Sequence, residues 1–275
     1  MAAILRLLKI LRISSMCELF GMTSNRPISA RTPLSLFGKR GGEAADNSDG
    51  WGLAYLKGDA LAIHKAPEPA ALSASFAKLS EQIRSQLIIA HVRKANPPTA
   101  HTQENTHPFM RACCGRHWVF AHNGKVPELV APQGCCHPRH SLPHGETDSE
   151  HAFCYLLEEI AGTFLSVPSE TMETWFETLV LRSAAIAAYG QFNFLMSDGE
   201  YLIAYGHDRL NSQQRQMGNV QSVVIASVPL TDDDPWEAFA PGELQVYRTG
   251  QLLGRWPGST FPVMTNLGSR SSAQP

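Results

Sequence analysis

No stretch of the 275-residue chain approaches the roughly 20 consecutive apolar residues of a membrane-spanning helix, which excludes a helical span. A positive excess is missing too: 23 Lys and Arg stand against 25 Asp and Glu, and no basic stripe is available to neutralise phosphates. Nucleic acid is therefore not an expected partner. The six cysteines, Cys17, Cys113, Cys114, Cys135, Cys136 and Cys154, lack the spacing of a small secreted disulfide framework. A reducing cytoplasm is the expected location. Internal repeats are absent, as are a P-loop and a G-x-G-x-x-G fingerprint, so no nucleotide cofactor is implied. The opening MAAILRLLKILRISS is interrupted by Arg6, Lys9 and Arg12 and offers no continuous secretory core. An amphipathic helix over residues 3–13 at a membrane surface is the alternative for that segment.

What is present suffices for one domain. With 43% hydrophobic residues, the chain can bury a single large core between two packed layers. Residues 51–57 and 60–65 read as strands around Gly58-Asp59, and 193–197 and 200–206 as strands around Asp198-Gly199, a favoured hairpin dipeptide. Leu87 to Val92 and Trp118 to Ala121 are continuous apolar runs, as expected of strands buried on both faces. Three helices are expected. The first, near 71–85, places Leu72, Phe76, Leu79 and Ile83 on one face. The second starts at Thr147 with a T-x-x-E capping box to Glu150, carries Phe153, Leu156, Leu157 and Ile160, and stops at Gly162. The third runs from about Thr171 to Tyr189 and is closed by Gly190. Helices in need of apolar cover, beside doubly buried strands, predict two packed sheets with helices outside. Residues 257–275, rich in Gly, Pro and Ser, read as a loose tail.

Two buried strands end in polar groups, His91-Val92-Arg93 and His122-Asn123-Gly124. Strand ends are rigid mounts for a site. Each motif also has a bland reading: Arg93 as a surface ion-pair partner, Asn123-Gly124 as an ordinary turn, and Asp148 as a carboxylate favoured at a helix start by the backbone dipole. His107 before Pro108 says only that the chain is extended there. Asp49-Gly50-Trp51-Gly52 alone could be a turn entering a strand.

Their joint order decides. Met16-Cys17-Glu18-Leu19-Phe20-Gly21, Asp49-Gly50-Trp51-Gly52, His91-Val92-Arg93, Asn105-Thr106-His107-Pro108-Phe109, His122-Asn123-Gly124 and Gly145-Glu146-Thr147-Asp148-Ser149-Glu150 together resemble the class II glutamine amidotransferases, from Cys17 to roughly Arg248, and in particular their stand-alone single-domain branch. The resemblance implies an α+β fold of the N-terminal-nucleophile type, a four-layer αββα sandwich of two mainly antiparallel sheets. It implies hydrolysis of the side-chain amide of glutamine or of a γ-glutamyl amide, with Cys17 as nucleophile and Asn123 and Gly124 as oxyanion hole. Arg93 would bind the substrate α-carboxylate and Asp148 its α-ammonium. His91, Thr106, His107 and Trp51 fall at pocket-forming positions. No metal or other cofactor is called for.

The chemistry fits these residue types. A free thiol near pKa 8.5 is only a few per cent ionised at neutral pH, so it needs a base, and its own residue's α-amine, near 7.7 to 8, can serve. Attack would create an oxyanion, expel ammonia or an amine, and leave a γ-glutamyl thioester for water to hydrolyse. Against this stands the segment before Cys17, since a peptide-bonded Cys17 has no free amine. Residues 1–16 are expected to be absent or removed in the active form, with translation from Met16 the favoured reading, because Arg12-Ile13-Ser14-Ser15 shows no processing signal. The amidotransferase domain is then 17–256. No room follows it for an acceptor domain, so ammonia would go to a separate synthase or peptidase subunit, or simple hydrolysis would occur. Two rivals stay open: a silent glutamine-binding or regulatory subunit with a blocked Cys17, and a metal-linked module built on Cys135, Cys136, His137, His140 and His144 with Cys113-Cys114.

Overall fold

The computed structural model describes residues 16–95, 100–130, 141–166, 172–232 and 235–258. In chain order the strands are β1 (Glu18–Ser29), β2 (Gly50–Lys57), β3 (Ala60–Ala66), β4 (Arg84–Arg93), β5 (Phe109–Cys113), β6 (Arg116–Lys125) and β7 (Gln191–Ser197). They continue with β8 (Leu202–Gly206), β9 (Asn211–Met217), β10 (Val220–Ala226), β11 (Glu237–Ala238), β12 (Glu243–Arg248) and β13 (Gln251–Trp256). The helices are α1 (Arg31–Lys39), α2 (Ala74–Gln82), α3 (Asp148–Ser166) and α4 (Met172–Ala187). One sheet has the order β11-β9-β10-β1-β4-β2-β3 and the other β13-β12-β8-β7-β6-β5. Neighbouring strands pair antiparallel throughout.

Side-chain alternation builds four layers from this list. On β4, Leu87 and Ile89 face β6 residues Val119 and Ala121 in the core between the sheets. The alternate residues Ile88, Ala90 and Val92 face outward to Leu34 and Phe37 of α1 and Phe76 of α2. On β6 the outward set is Trp118 and Phe120, covered by α3 and α4 through Phe153, Leu156, Trp175 and Leu179. Each fully buried large apolar side chain contributes about 1.5–3 kcal/mol, and all three interfaces are lined by them. The result is the αββα sandwich expected from the sequence, with β1 at the centre of one sheet, flanked by β10 and β4, and β8 and β7 at the centre of the other.

Several local expectations need correction. Helix α2 is shorter than 71–85: a 3-10 turn, Ala70–Leu72, precedes it, and the Ser73 hydroxyl caps the new start by accepting from Phe76 N at 3.2 Å. Leu72 thus lies outside the helix and is 84% exposed instead of facing the core. Helix α3 passes through Gly162 to Ser166, and Gly162 stands in open space, where a Cβ would meet nothing within 4 Å. Only half of its capping box forms. Glu150 N donates to Thr147 Oγ1 at 3.2 Å, but the Glu150 carboxylate turns to Arg111 and to Gly145 N. Between β7 and β8 the connection is longer than the dipeptide Asp198-Gly199, because Asp198 Oδ1 accepts from Glu200 N and Tyr201 N and so draws both into the turn. The third helix lies at Met172–Ala187, and its expected first residue, Thr171, is outside the described residues, as are residues 1–15 and 259–275. Among the described residues no helix is long and apolar enough to cross a membrane.

Candidate active site

The nucleophile candidate is placed by β1. Pairing of Glu18 with Val92 and Leu19 with His91 sets Cys17 against the last residues of β4. Lys94 N donates to Cys17 Sγ at 3.2 Å, and Sγ in turn lies 3.2 Å from the Lys94 carbonyl. Three anchors hold this strand end. Asn123 Nδ2 on β6 donates to the Cys17 carbonyl. Arg40, capping α1, grips the buried Glu18 carboxylate with two bonds of 2.8 and 2.6 Å. Ser227 Oγ accepts from Leu19 N at 2.9 Å and from Asn123 Nδ2 at 3.1 Å. Burial pushes the Cys17 thiol up to about 11, against opposing pulls from the Lys94 backbone and the Arg93 guanidinium.

Arg93 closes β4 and is buried; its Nη1 donates to the Asp49 carbonyl at 3.4 Å. Asp49 returns a bond from its N–H to the Arg93 carbonyl at 3.0 Å and accepts from Ala95 N at 2.8 Å. Asp49-Gly50-Trp51-Gly52 is thus a bracket around Arg93 more than a turn. Gly52 has a second duty, because a Cβ there would sit 1.9 Å from the His107 carbonyl. The bare backbone lets the loop carrying His107 cross the sheet. Gly52→Ala is expected to lower stability by about 1–3 kcal/mol, the range for overpacking, and to displace His107; an unchanged thermal midpoint in a calorimetric scan would contradict this.

That loop is fastened at both ends. Thr106 Oγ1 donates to the Thr102 carbonyl at 2.7 Å, Lys65 Nζ donates to the Thr106 carbonyl at 2.8 Å, and Asn105 Oδ1 accepts from Glu146 N at 2.9 Å. The His107-Pro108 bond is cis, where the sequence predicted only an extended segment. The His107 imidazole packs 4.2 Å from that of His91, and among the described residues the nitrogens of neither ring meet a well-formed hydrogen-bond partner. Burial, followed by the nearby Arg93 charge, drives His91 down to about 3, and burial beside His91 and His122 drives His107 well below its ordinary value. Both rings are neutral at physiological pH.

Asp148 sits at the first residue of α3, the positive end of the helix dipole. Its Oδ2 accepts from Val126 N at 2.7 Å, and its Oδ1 lies 3.3 Å from Ser149 Oγ. Ser149 Oγ is also 2.8 Å from His122 Nδ1, while His122 Nε2 faces the Gln191 carbonyl at 3.2 Å. A carbonyl can only accept, so Nε2 carries the ring proton and Nδ1 must accept. Ser149 has one hydroxyl hydrogen for two acceptors. If it goes to Nδ1, Asp148 Oδ1 stays free for a cationic ligand.

These elements enclose a cleft of about 220 Å³. That is below the roughly 300–1,000 Å³ of drug-sized sites and suits a ligand of amino-acid size. Cys17, Arg93, His107, Gly124 and Asp148 line it, together with Lys94, His122, Glu146, Thr147 and Ser149. Gly124 is left-handed, at φ +151°, and a Cβ would fall 1.8 Å from the Gln191 carbonyl, so only glycine brings this backbone so close to β7. Asn123 lies behind it, buried and bonded to Cys17. His91 and Thr106 are buried behind the lining. Trp51 is not brought to the cleft at all. It points to the opposite face of its sheet, edge-on to Phe76 at 5.2 Å. Strand alternation decides this: Gly50 and Gly52 face inward, so the residue between them must face out. The roles of His122 and Ser149 were missed by the sequence reading, although both stand inside its motifs; their pairing links β6 to α3 and has no sequence signal. Of the metal-module residues, Cys135, Cys136, His137 and His140 lie outside the described residues, and His144 is exposed.

Residues 16–218 and 213–267 match the family of class II glutamine amidotransferases. The chain belongs to that family. It is 32% identical over 283 residues to a Haemophilus influenzae protein provisionally named a glutamine amidotransferase, with 94% of each chain covered. It is also 30% identical over 192 residues to the gamma-glutamyl-hercynylcysteine sulfoxide hydrolase of Mycobacterium tuberculosis, covering 69% of this chain and 71% of that one. Among solved structures, a predicted glutamine amidotransferase from Pseudomonas aeruginosa superposes with a TM-score of 0.63 at 27% identity, over 86% of this chain and all of the other. Glutamine phosphoribosylpyrophosphate amidotransferase of Bacillus subtilis, at 18% identity and TM-score 0.64, shares the fold over 89% of this chain and half of its own length.

Proposed function

We propose that this chain hydrolyses the side-chain amide of glutamine or a γ-glutamyl amide through a γ-glutamyl thioester on Cys17, releasing glutamate. The observation that carries this reading is the convergence of Cys17, Arg93, Gly124 and Asp148 on one amino-acid-sized cleft. Arg93 binds the α-carboxylate and Asp148 the α-ammonium, through Oδ1 once the Ser149 hydroxyl turns to His122 Nδ1. These contacts read only the amino-acid end, so they select a γ-glutamyl group and leave the amine side open. The Gly124 N–H and Asn123 Nδ2, the latter by giving up its bond to Ser227 Oγ, stabilise the oxyanion, each well-placed donor contributing about 3–4 kcal/mol. Hydrolysis agrees with the hydrolase name of the mycobacterial relative.

The base is the α-amine of Cys17, set free by loss of residues 1–16. Histidine is a poor alternative here. Moving a proton from a thiol held near 11 to imidazoles held below their ordinary 6.5 is strongly uphill, each unit being about 1.4 kcal/mol. A retained N-terminal segment would instead make a glutamine-binding subunit without turnover; the high thiol pKa favours that second reading for the uncut chain.

Acid-quenched turnover followed by peptide mass mapping tests the proposal: a γ-glutamyl adduct should appear on the peptide bearing Cys17, and turnover without any adduct would sink the thioester. The clamp is tested separately. Arg93→Ala and Asp148→Ala should each weaken glutamine binding by about 2 kcal/mol or more, the scale of a charge-assisted hydrogen bond. Wild-type affinity of both variants in calorimetry would rule the clamp out.

A further inference from the structure

The β5–β6 hairpin carries chemistry of its own. Its loop residues, Cys114 and Gly115, lie between the paired Cys113 and Arg116, and both have positive φ, 55° and 75°. Two-residue loops of this hand ordinarily take Asn-Gly or Asp-Gly, since most side chains are strained there. Here the strained position holds a thiol. It brings Cys114 Sγ to 3.0 Å from Cys113 Sγ. Both cysteines are free, Cys114 is exposed, and Cys113 is half-buried against the Leu157 carbonyl of α3 at 3.6 Å.

Geometry selects what such a pair accepts. Adjacent Cα atoms stand about 3.8 Å apart, short of the roughly 4.4–6.8 Å over which ordinary disulfides form. A direct S–S bond is therefore strained and easily reduced, whereas one bridging atom tolerates sulfurs held in near contact. Among the described residues, no group of three His, Cys, Asp or Glu side chains is gathered to hold a metal ion. Tetrahedral zinc lacks its ligands, so the bridging atom must bring its remaining substituent with it.

We propose that Cys113 and Cys114 form a vicinal dithiol site for monosubstituted trivalent arsenicals. Two As–S bonds form, the arsenic-bound oxygen leaves as water with the two thiol hydrogens, and no electron is transferred. The exposed Cys114 attacks first. Burial pushes the Cys113 thiol up to about 12, so it closes the ring second, when the step is intramolecular.

Phenylarsine oxide is the probe, applied to the full chain carrying Cys135→Ser and Cys136→Ser so that the other adjacent pair is silent. Intact mass should show one phenylarsenic unit, mapped to the peptide with Cys113 and Cys114, resistant to excess monothiol and removed by dithiothreitol. Cys113→Ser and Cys114→Ser should each cut retention in monothiol by about tenfold or more, the loss of chelation. Cys114→Asn, which suits the turn better, keeps the result readable should the serine variant fold poorly. No adduct, an adduct washed off by monothiol, or retention indifferent to these substitutions overturns the site. Glutamate release is not the readout, so this test and that of the cleft fail independently.

Discussion

Cys17→Ala is expected to reduce glutamate release to background while leaving the fold in place. The thiol hydrogen-bonds with the N–H and carbonyl of Lys94, and the strand end is anchored by other groups: the Cys17 carbonyl, Glu18 and Leu19. Losing one part-buried thiol contact of this kind costs about 1 kcal/mol of stability, a small shift in the thermal midpoint. Losing the nucleophile removes the covalent route altogether. Coupled assays of glutamate with L-glutamine and with a γ-glutamyl amide measure the first effect, and a calorimetric scan the second. Release at the parent rate by a folded Cys17→Ala protein would overturn the covalent mechanism.

The second large effect is expected at the bond between Met16 and Cys17. Protein expressed from Met16 should lose that methionine, begin at Cys17 and be active. Verified uncut protein should still bind glutamine, yet turn it over on the order of 10²–10⁴ times more slowly, the usual contribution of a general base. The structure gives a reason to expect clean behaviour from the trimmed form. Among the described residues, the contacts that anchor the strand backbone at the nucleophile lie on its C-terminal side: Asn123 to the Cys17 carbonyl, Arg40 to Glu18, Ser227 to Leu19. Cutting before Cys17 releases an amine without releasing the strand. Intact mass must accompany the rates, because trace processing of the long form mimics activity. Equal rates for the two verified forms would remove the α-amine from the mechanism and reopen the question of the base.

The strand ends near Arg93 and Asn123-Gly124 and the helix start at Asp148 were legible as local signals, whereas Cys17 and the joining of these residues into one candidate site came from the order of the motifs and the family resemblance. An apolar run that stops at a charged or Asn-Gly group marks a strand end, and a T-x-x-E start marks a helix. Helix α1 was not read, since Leu34 and Phe37 are its only buried large apolar residues and Pro33 sits in its first turn. Yet α1 ends in Arg40, which holds Glu18 beside the nucleophile. Trp51 was placed in the pocket by motif position alone, and the pleat of β2 sends it to the other face.

By itself, then, the sequence determined the layers, because periods of 2 and 3.6 record which faces are buried, and it determined the family, because six short motifs keep their order. Only the tertiary structure decided which motif residues meet. Strand register fixes Cys17 against Lys94, and β6 against α3 fixes His122 against Ser149, contacts between residues 77 and 27 positions apart. Such contacts depend on how sheets pair and helices dock, and local periodicity carries no record of either. The same holds for Gly52 and Gly124, whose need for glycine comes from carbonyls of His107 and Gln191, brought within 2 Å of a would-be Cβ by chain far away in sequence.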